Sequence, residues 1–212
     1  YNNKQYDKAI EYYEQALNIF KKNHKEIALL HNDLGNSYYK SNQWDNAIEN
    51  YENALKHGLY NAESVQINIA NSYNNLGDIY YKKMYHNAIE YYKKALEIRL
   101  SIFGTNHSNV AWLYHYLGNS YRENRQSGKA IEYHEKALEI RLDIFGTNHL
   151  NVASSYHDLG NPYYDSEQYS KAIEYYKKAL KIRLPIVGTN DLGINYLEDL
   201  LTHFWGVKEI KT

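Results

Sequence analysis

Apolar and small residues return along this chain at helical spacing, in paired segments. In the first segment of a pair, His31, Leu34 and Tyr38 fall at i, i+3 and i+7, as do Tyr73, Leu76 and Tyr80. In the second, Ala47, Tyr51 and Ala54 fall at i, i+4 and i+7, as do Ala88, Tyr92 and Ala95. Each set is a single apolar stripe on an amphipathic helix. Short polar turns such as Ser41-Asn42-Gln43 and Gln126-Ser127-Gly128 join the two and predict antiparallel hairpins.

The pairs repeat. Residues 94–107 and 136–149 are the same fourteen residues except at Ser101 and Asp143, and they lie 42 positions apart. Leu-Gly recurs at Leu34-Gly35, Leu76-Gly77, Leu117-Gly118 and Leu159-Gly160. Ala-Ile-Glu starts at Ala9, Ala47, Ala88, Ala130 and Ala172. One residue is missing between Gly77 and Ala88, which shortens that turn, and four are missing between Ala16 and Gly35, which shortens a connection between repeats. A fixed period of this size marks stacked supersecondary units. The predicted fold is all-α, a right-handed α-solenoid of antiparallel helix hairpins. Its units are a partial repeat over 1–22, repeats over 24–61, 62–106, 107–148 and 149–190, and a capping helix with tail over 191–212. The partial repeat supplies a second helix only, so the chain is expected to be a piece of something larger. In the last segment Leu201-Thr202 stands where Leu-Gly is expected.

The small residues call for a packing reason. Glycine within a helix costs about 1 kcal/mol relative to alanine. Close helix crossing would offset it, with Ala47, Ala88, Ala130 and Ala172 expected opposite the Leu-Gly glycines. Glu90/Lys94, Glu132/Lys136 and Glu174/Lys178 stand at i, i+4 on what should be solvated faces. Pro162 interrupts a first helix, where proline removes a hydrogen bond and favours a kink. The tyrosine pairs Tyr12-Tyr13, Tyr91-Tyr92 and Tyr175-Tyr176 should each place one ring inward and one at the helix margin.

Composition narrows the function. The 212 residues carry 24 Lys+Arg against 25 Asp+Glu, a net charge of −1, so no basic nucleic-acid footprint is present. Only 2 prolines suit a nearly all-helical chain, and 25 tyrosines need the periodic placement just described. Cysteine is absent, which removes disulfides and thiolate metal sites and suits a reducing, cytoplasmic setting. No apolar run approaches a membrane span, and no signal peptide is visible, although the chain starts at Tyr1 rather than Met.

Tyr114, Leu117-Gly118, Tyr121, Ala130 and Ala137 together resemble the tetratricopeptide repeat family. Its second-helix aromatic stands at Tyr13, Tyr51, Tyr92 and Tyr176, but His134 replaces it in one repeat. The period and the Ala-Leu-Glu-Ile-Arg-Leu…Phe-Gly-Thr-Asn-His linker are similar to the longer repeats of kinesin light chains. The resemblance implies a protein or peptide partner, held as an extended peptide or a helix in a concave groove lined by first helices. Helical register then suggests four inward rows. They are Asn32, Asn74, His115, His157; Asn36, Asp78, Asn119, Asn161; Tyr39, Tyr81, Arg122, Tyr164; and Leu29, Asn71, Trp112, Ser154. Asparagine both donates and accepts, so an amide ladder can hold a peptide backbone without reading its sequence. Tyr39, Tyr81 and Trp112 would supply pockets, and Arg122 a polar anchor. Family members that clamp C-terminal carboxylates use basic residues with Asn. Asn36 and Asn75 resemble those Asn positions, but the basic partners are not evident, and Asp78, Glu123 and Asp165 argue against an anionic ligand. The groove reading is therefore a scaffold or adaptor for an extended, non-anionic segment. The alternatives are a regulatory sensor segment of a signalling protein, or a structural array that self-associates through the open N-terminal repeat.

No catalytic centre, cofactor or metal is expected. His107 and His149 sit in equivalent Gly-Thr-Asn-His linkers and fit helix starts. His115 and His157 are equivalent positions, and the sequence shows no Asp, Glu or Cys set completing a metal site with them. His134-Glu135 lacks the second histidine of a zinc-protease helix. Gly128-Lys129 lacks the rest of a phosphate loop, with Glu123 at its first glycine and Ala130 at its Ser/Thr.

Overall fold

A computed structural model describes residues 3–19, 24–57, 63–82, 84–188 and 202. Among the described residues there are nine helices and no strands: α1 (Asn3–Ile19), α2 (His24–Lys40), α3 (Trp44–His57), α4 (Glu63–Tyr81), α5 (Tyr85–Phe103), α6 (Ser108–Glu123), α7 (Ser127–Phe145), α8 (Leu150–Asp165) and α9 (Tyr169–Val187). The chain forms two compact units, Tyr1–Gly104 with α1 to α5 and Thr105–Thr212 with α6 to α9. The pairs α2/α3, α4/α5, α6/α7 and α8/α9 are the hairpins. The expected capping helix over 191–212 lies outside the described residues apart from Thr202.

Local chemistry explains where the helices stop. In three hairpins the first helix closes with a left-handed residue, Asn42, Arg125 or Glu167, at φ 60, 57 and 60°. The following amide reaches back five residues: Gln43 N to Tyr38 O at 2.9 Å, Gln126 N to Tyr121 O at 2.8 Å, and Gln168 N to Tyr163 O at 2.9 Å. This satisfies carbonyls that the helix end leaves open. The hairpin with one residue fewer closes differently, with Met84 N donating to Tyr80 O. Helices α5 and α7 end on Gly104 and Gly146 at φ 72 and 71°, a region that glycine enters without steric cost. His107 and His149 then start α6 and α8, each accepting the amide of the second residue on, Asn109 or Asn151, at Nδ1 over 3.1 Å.

The core is built from the repeated anchors. In the first unit Ala47, Tyr51, Leu76 and Ile79 are buried together; in the second, Tyr163, Ala172, Tyr176, Ala179 and Leu180 are. The expected Gly–Ala facing is corrected here. A Cβ on Gly35 would stand 2.7 Å from Cδ1 and Cε1 of Tyr51, and Gly77, Gly118 and Gly160 meet Tyr92, His134 and Tyr176 in the same way. The glycine makes room for the second-helix ring four residues beyond the alanine. The reason is size: alanine leaves its neighbours space, whereas a buried ring needs the Cβ position opposite it.

The margin is equally periodic. Tyr80–Tyr91, Tyr121–Tyr133 and Tyr163–Tyr175 stack with ring centroids 5.3, 5.3 and 5.4 Å apart. Lys94, Lys136 and Lys178 pair with Glu90, Glu132 and Glu174 at 2.7, 2.6 and 2.6 Å. Their ammonium groups also lie over Tyr91, Tyr133 and Tyr175, a cation–π placement on an exposed edge. Pro162 is buried within α8, which runs on to Asp165 without a break.

Candidate functional site

The first helices of the first unit are α2 and α4, and much of the amide ladder expected there is engaged inside the fold. Asn32 is buried, and its Oδ1 accepts the Ser72 hydroxyl at 2.9 Å. Asn36 Oδ1 accepts both the Tyr51 hydroxyl at 2.8 Å and Asn75 Nδ2 at 2.9 Å. Asp78 accepts the Tyr92 hydroxyl at 2.7 Å, with Asn74 Nδ2 at 3.5 Å. Burial raises the Asp78 carboxyl above its ordinary range, against the Tyr92 hydrogen bond and the charges of Lys82 and Lys40. Asn71 accepts from Arg99 at 3.0 Å. Tyr39 and Tyr81 are half-buried; the ammonium groups of Lys40 and Lys82 lie over the Tyr39 ring, and Tyr81 meets Tyr85 edge-on.

In the second unit the first helices are α6 and α8. Trp112 is 46% exposed on α6, with the Arg141 guanidinium 5.1 Å from its ring centroid and His115 and Tyr116 beside it. Arg141 itself is buried and donates to Ser155 Oγ at 2.8 Å. Arg122 Nε stands 2.6 Å from Asp165, with Glu123 at 3.6 Å, so its charge is matched by two carboxylates. Asn161 accepts the Tyr176 hydroxyl at 2.8 Å, repeating the Tyr51–Asn36 bond.

One place departs from this layout. His134 fills the ring slot taken by tyrosine in the other hairpins and is 1% exposed, with no hydrogen-bond partner at Nε2. His115 Nδ1 lies 2.8 Å from Asp158 Oδ2, and His157 Nδ1 lies 3.7 Å from Oδ1. Asn119 Nδ2 and His115 Nε2 are 3.2 Å apart. One donor atom from each of His115, His134 and Asp158 falls within 4.8 Å of the others. Burial pushes His134 down to about 4, despite Asp158 nearby, so its imidazole is neutral at physiological pH. Burial alone would raise Asp158, but the hydrogen bond from His115 and the nearby His157 hold it well below the ordinary range. Sequence reasoning found no carboxylate to accompany His115 and His157. The structure corrects that: Asp158 is the carboxylate, brought in by the packing of α8 against α6 and α7. The replacement of tyrosine by His134 was the one signal visible beforehand. Arg99 and Arg141 were also missed, although both lie in the repeated Ala-Leu-Glu-Ile-Arg-Leu run.

Among the described residues no helix is long and apolar enough to cross a membrane. No curated protein matches the chain. Solved structures do. BtubC (BKLC) from P. vanneervenii is 19% identical, with a TM-score of 0.72 over 96% of this chain and 84% of that one. A putative kinesin light chain with nearly identical repeats from Podosopora anserina is 20% identical, with a TM-score of 0.67 over 88% and 90%. Aspartyl phosphate phosphatase F from Bacillus subtilis is 18% identical, with a TM-score of 0.74 over 98% of this chain and 54% of that one, so this chain spans about half of it. These likenesses show a shared fold. The tetratricopeptide repeat model matches residues 1–59, 26–99, 68–143 and 110–184, and with those four overlapping matches the chain belongs to the tetratricopeptide repeat family.

Proposed function

We propose that this chain is a protein-interaction scaffold that holds an extended, non-anionic segment of a partner against a first-helix face. The repeat family implies protein partners. The observation that carries the finer reading is Trp112, a large aromatic left 46% exposed yet held by Arg141, His115 and Tyr116. A rigid exposed indole loses little side-chain entropy on binding, and Trp is among the residue types that dominate binding energies. Tyr39 and Tyr81 serve the same end in the first unit, with Asn74, Asn75, Asn119 and Asn161 as the polar groups around them. Asn32 and Asn36 contribute by stiffening that face, since their carbonyls brace it from within. The pairing of Arg122 with Asp165 and Glu123 neutralises that guanidinium, so it does not itself recruit an anionic segment.

Selection from a random peptide display library tests this. Enriched peptides should be neutral or basic and should bind as monomers of the scaffold. Trp112→Ala should weaken them by more than tenfold with unchanged helical content, a loss of about 2 kcal/mol as for a central anchor. Enrichment of acidic peptides, or undiminished binding by Trp112→Ala and Tyr81→Ala, overturns the reading.

A further inference from the structure

We propose that His115, His134 and Asp158 form a binding site for one divalent transition-metal ion of the zinc class, inside the second unit and adjoining the face that carries Trp112 and Asn119. The three residues come from three different helices, α6, α7 and α8. His134 and His115 differ from both counterparts in the first unit, while Asp158 shares its position with Asp33 as well as Asn75. His134 stands where Tyr51 and Tyr92 stand, His115 where Asn32 and Asn74 stand, and Asp158 where Asn75 stands. In the first unit those positions form amide and hydroxyl hydrogen bonds, Tyr51 and Asn75 to Asn36 and Ser72 to Asn32. In the second unit three ligating side chains converge, with donor atoms within 4.8 Å of one another.

A second observation points to a ligand. His134 Nε2 is buried with no hydrogen-bond partner, at 1% residue exposure. An orphaned imidazole nitrogen at such depth costs free energy unless something binds it. A metal ion accepts its lone pair, and the ring is neutral, the state in which histidine ligates. Two imidazoles and a carboxylate suit zinc, which takes N and O donors at about 2.0–2.2 Å and leaves its fourth position to water. That geometry sets donors about 3.4 Å apart, so loading opens the 2.8 Å His115–Asp158 contact and draws His134 toward both. His115 coordinates through Nδ1, and its Nε2, beside Asn119 at 3.2 Å, is oriented by that amide as ligating histidines are by their outer partners. The proton held between His115 and Asp158 leaves to solvent when the ion takes its place. The nearby cations oppose binding in part: Arg122 is matched by Asp165 and Glu123, whereas buried Arg141, hydrogen-bonded to Ser155, is offset at the site by the negative charge of Asp158.

Titration of the chelator-stripped protein with Zn2+ and Co2+ tests this. The expected result is one ion per chain, a higher Tm, and the intense visible bands of four-coordinate cobalt. His134→Tyr restores the residue of the other hairpins and keeps the ring slot filled; it should fold and lose about 100-fold in Zn2+ affinity. Asp158→Asn should lose affinity similarly, and His86→Ala, on an exposed face, should bind as the unaltered chain does. Equal affinity in His134→Tyr, loss that follows His86 instead, or a six-coordinate cobalt spectrum overturns the proposal.

Discussion

The Tyr51 hydroxyl donates to Asn36 Oδ1 across 2.8 Å, from the second helix of a hairpin to the first. The bond ties a fully buried ring to a polar first-helix position, and Asn75 from the next hairpin joins it on the same oxygen at 2.9 Å. The layer thus links three helices, α2, α3 and α4. Tyr51→Phe keeps the ring and removes only the donor. It should lower unfolding free energy by about 1 kcal/mol, the net worth of a protein hydrogen bond. Tyr12→Phe, at a 69% exposed tyrosine, should change nothing measurable. Urea unfolding followed by circular dichroism compares the two.

The glycine opposite that ring is under a different constraint. A Cβ at Gly35 would lie 2.7 Å from two Tyr51 carbons, and the ring is enclosed on every side. Gly35→Ala gains about 1 kcal/mol of helix propensity and incurs overpacking of roughly 1–3 kcal/mol, so it should destabilise. Gly128, early in α7, has nothing within 4 Å of its Cβ position. Gly128→Ala should therefore stabilise by about 0.4–1 kcal/mol. Opposite signs for one chemical change, read as Tm shifts, check the distinction; a stabilising Gly35→Ala would contradict the ring-slot account.

Hairpins were legible in the sequence because Leu34, Gly35 and Tyr38 recur with a period that no loop would keep. Helix ends were legible at His107 and His149 because capping is local, a matter of two residues. What faces Gly35 was not legible, since alanine and tyrosine four residues apart lie on the same stripe and only the crossing of α2 and α3 selects between them. The inward rows were read from register, which places Asn32 and Asn36 on the correct helices without saying that Ser72 and Tyr51 reach them first. His134 was visible as a departure from a repeated tyrosine. Asp158 was not, because nothing near it in the chain marks it; its meaning comes from helices that only tertiary packing brings together.

Pro162 occupies the position of Ser37 and Ser120 in two of the other hairpins, and of buried Ile79 in the third. Those serines return their hydroxyls to the carbonyls four residues back, Asp33 O at 3.0 Å and Tyr116 O at 2.8 Å. Proline offers neither that hydroxyl nor a backbone N–H, yet α8 continues through it and the ring is buried. Neighbouring packing therefore sustains the helix against a local cost of about 3 kcal/mol. Pro162→Ser should recover part of it, raising Tm and slowing amide exchange in the last turns of α8. An unchanged or lower Tm would mean that the buried pyrrolidine contributes as much by packing as it costs in hydrogen bonding.

Asp78 holds the place that Asn36 and Asn161 hold elsewhere, and all three accept a tyrosine hydroxyl, at 2.7, 2.8 and 2.8 Å. Only Asp78 brings a charge, and burial raises its carboxyl despite the Tyr92 bond and the Lys82 and Lys40 charges. The sign follows from proton linkage. Between the unfolded pKa and the raised folded one, the native state binds more protons than the unfolded chain. Stability therefore falls as pH rises through that window and stays reduced above it. Asp78→Asn keeps an acceptor for Tyr92 and removes the buried charge. It should raise stability at neutral pH, leave it nearly unchanged below the ordinary aspartate range, and remove this part of the decline in between. Chemical denaturation of both proteins across that pH range reads the difference directly; a variant less stable at neutral pH would show that the carboxylate's hydrogen bonds outweigh the cost of burying it.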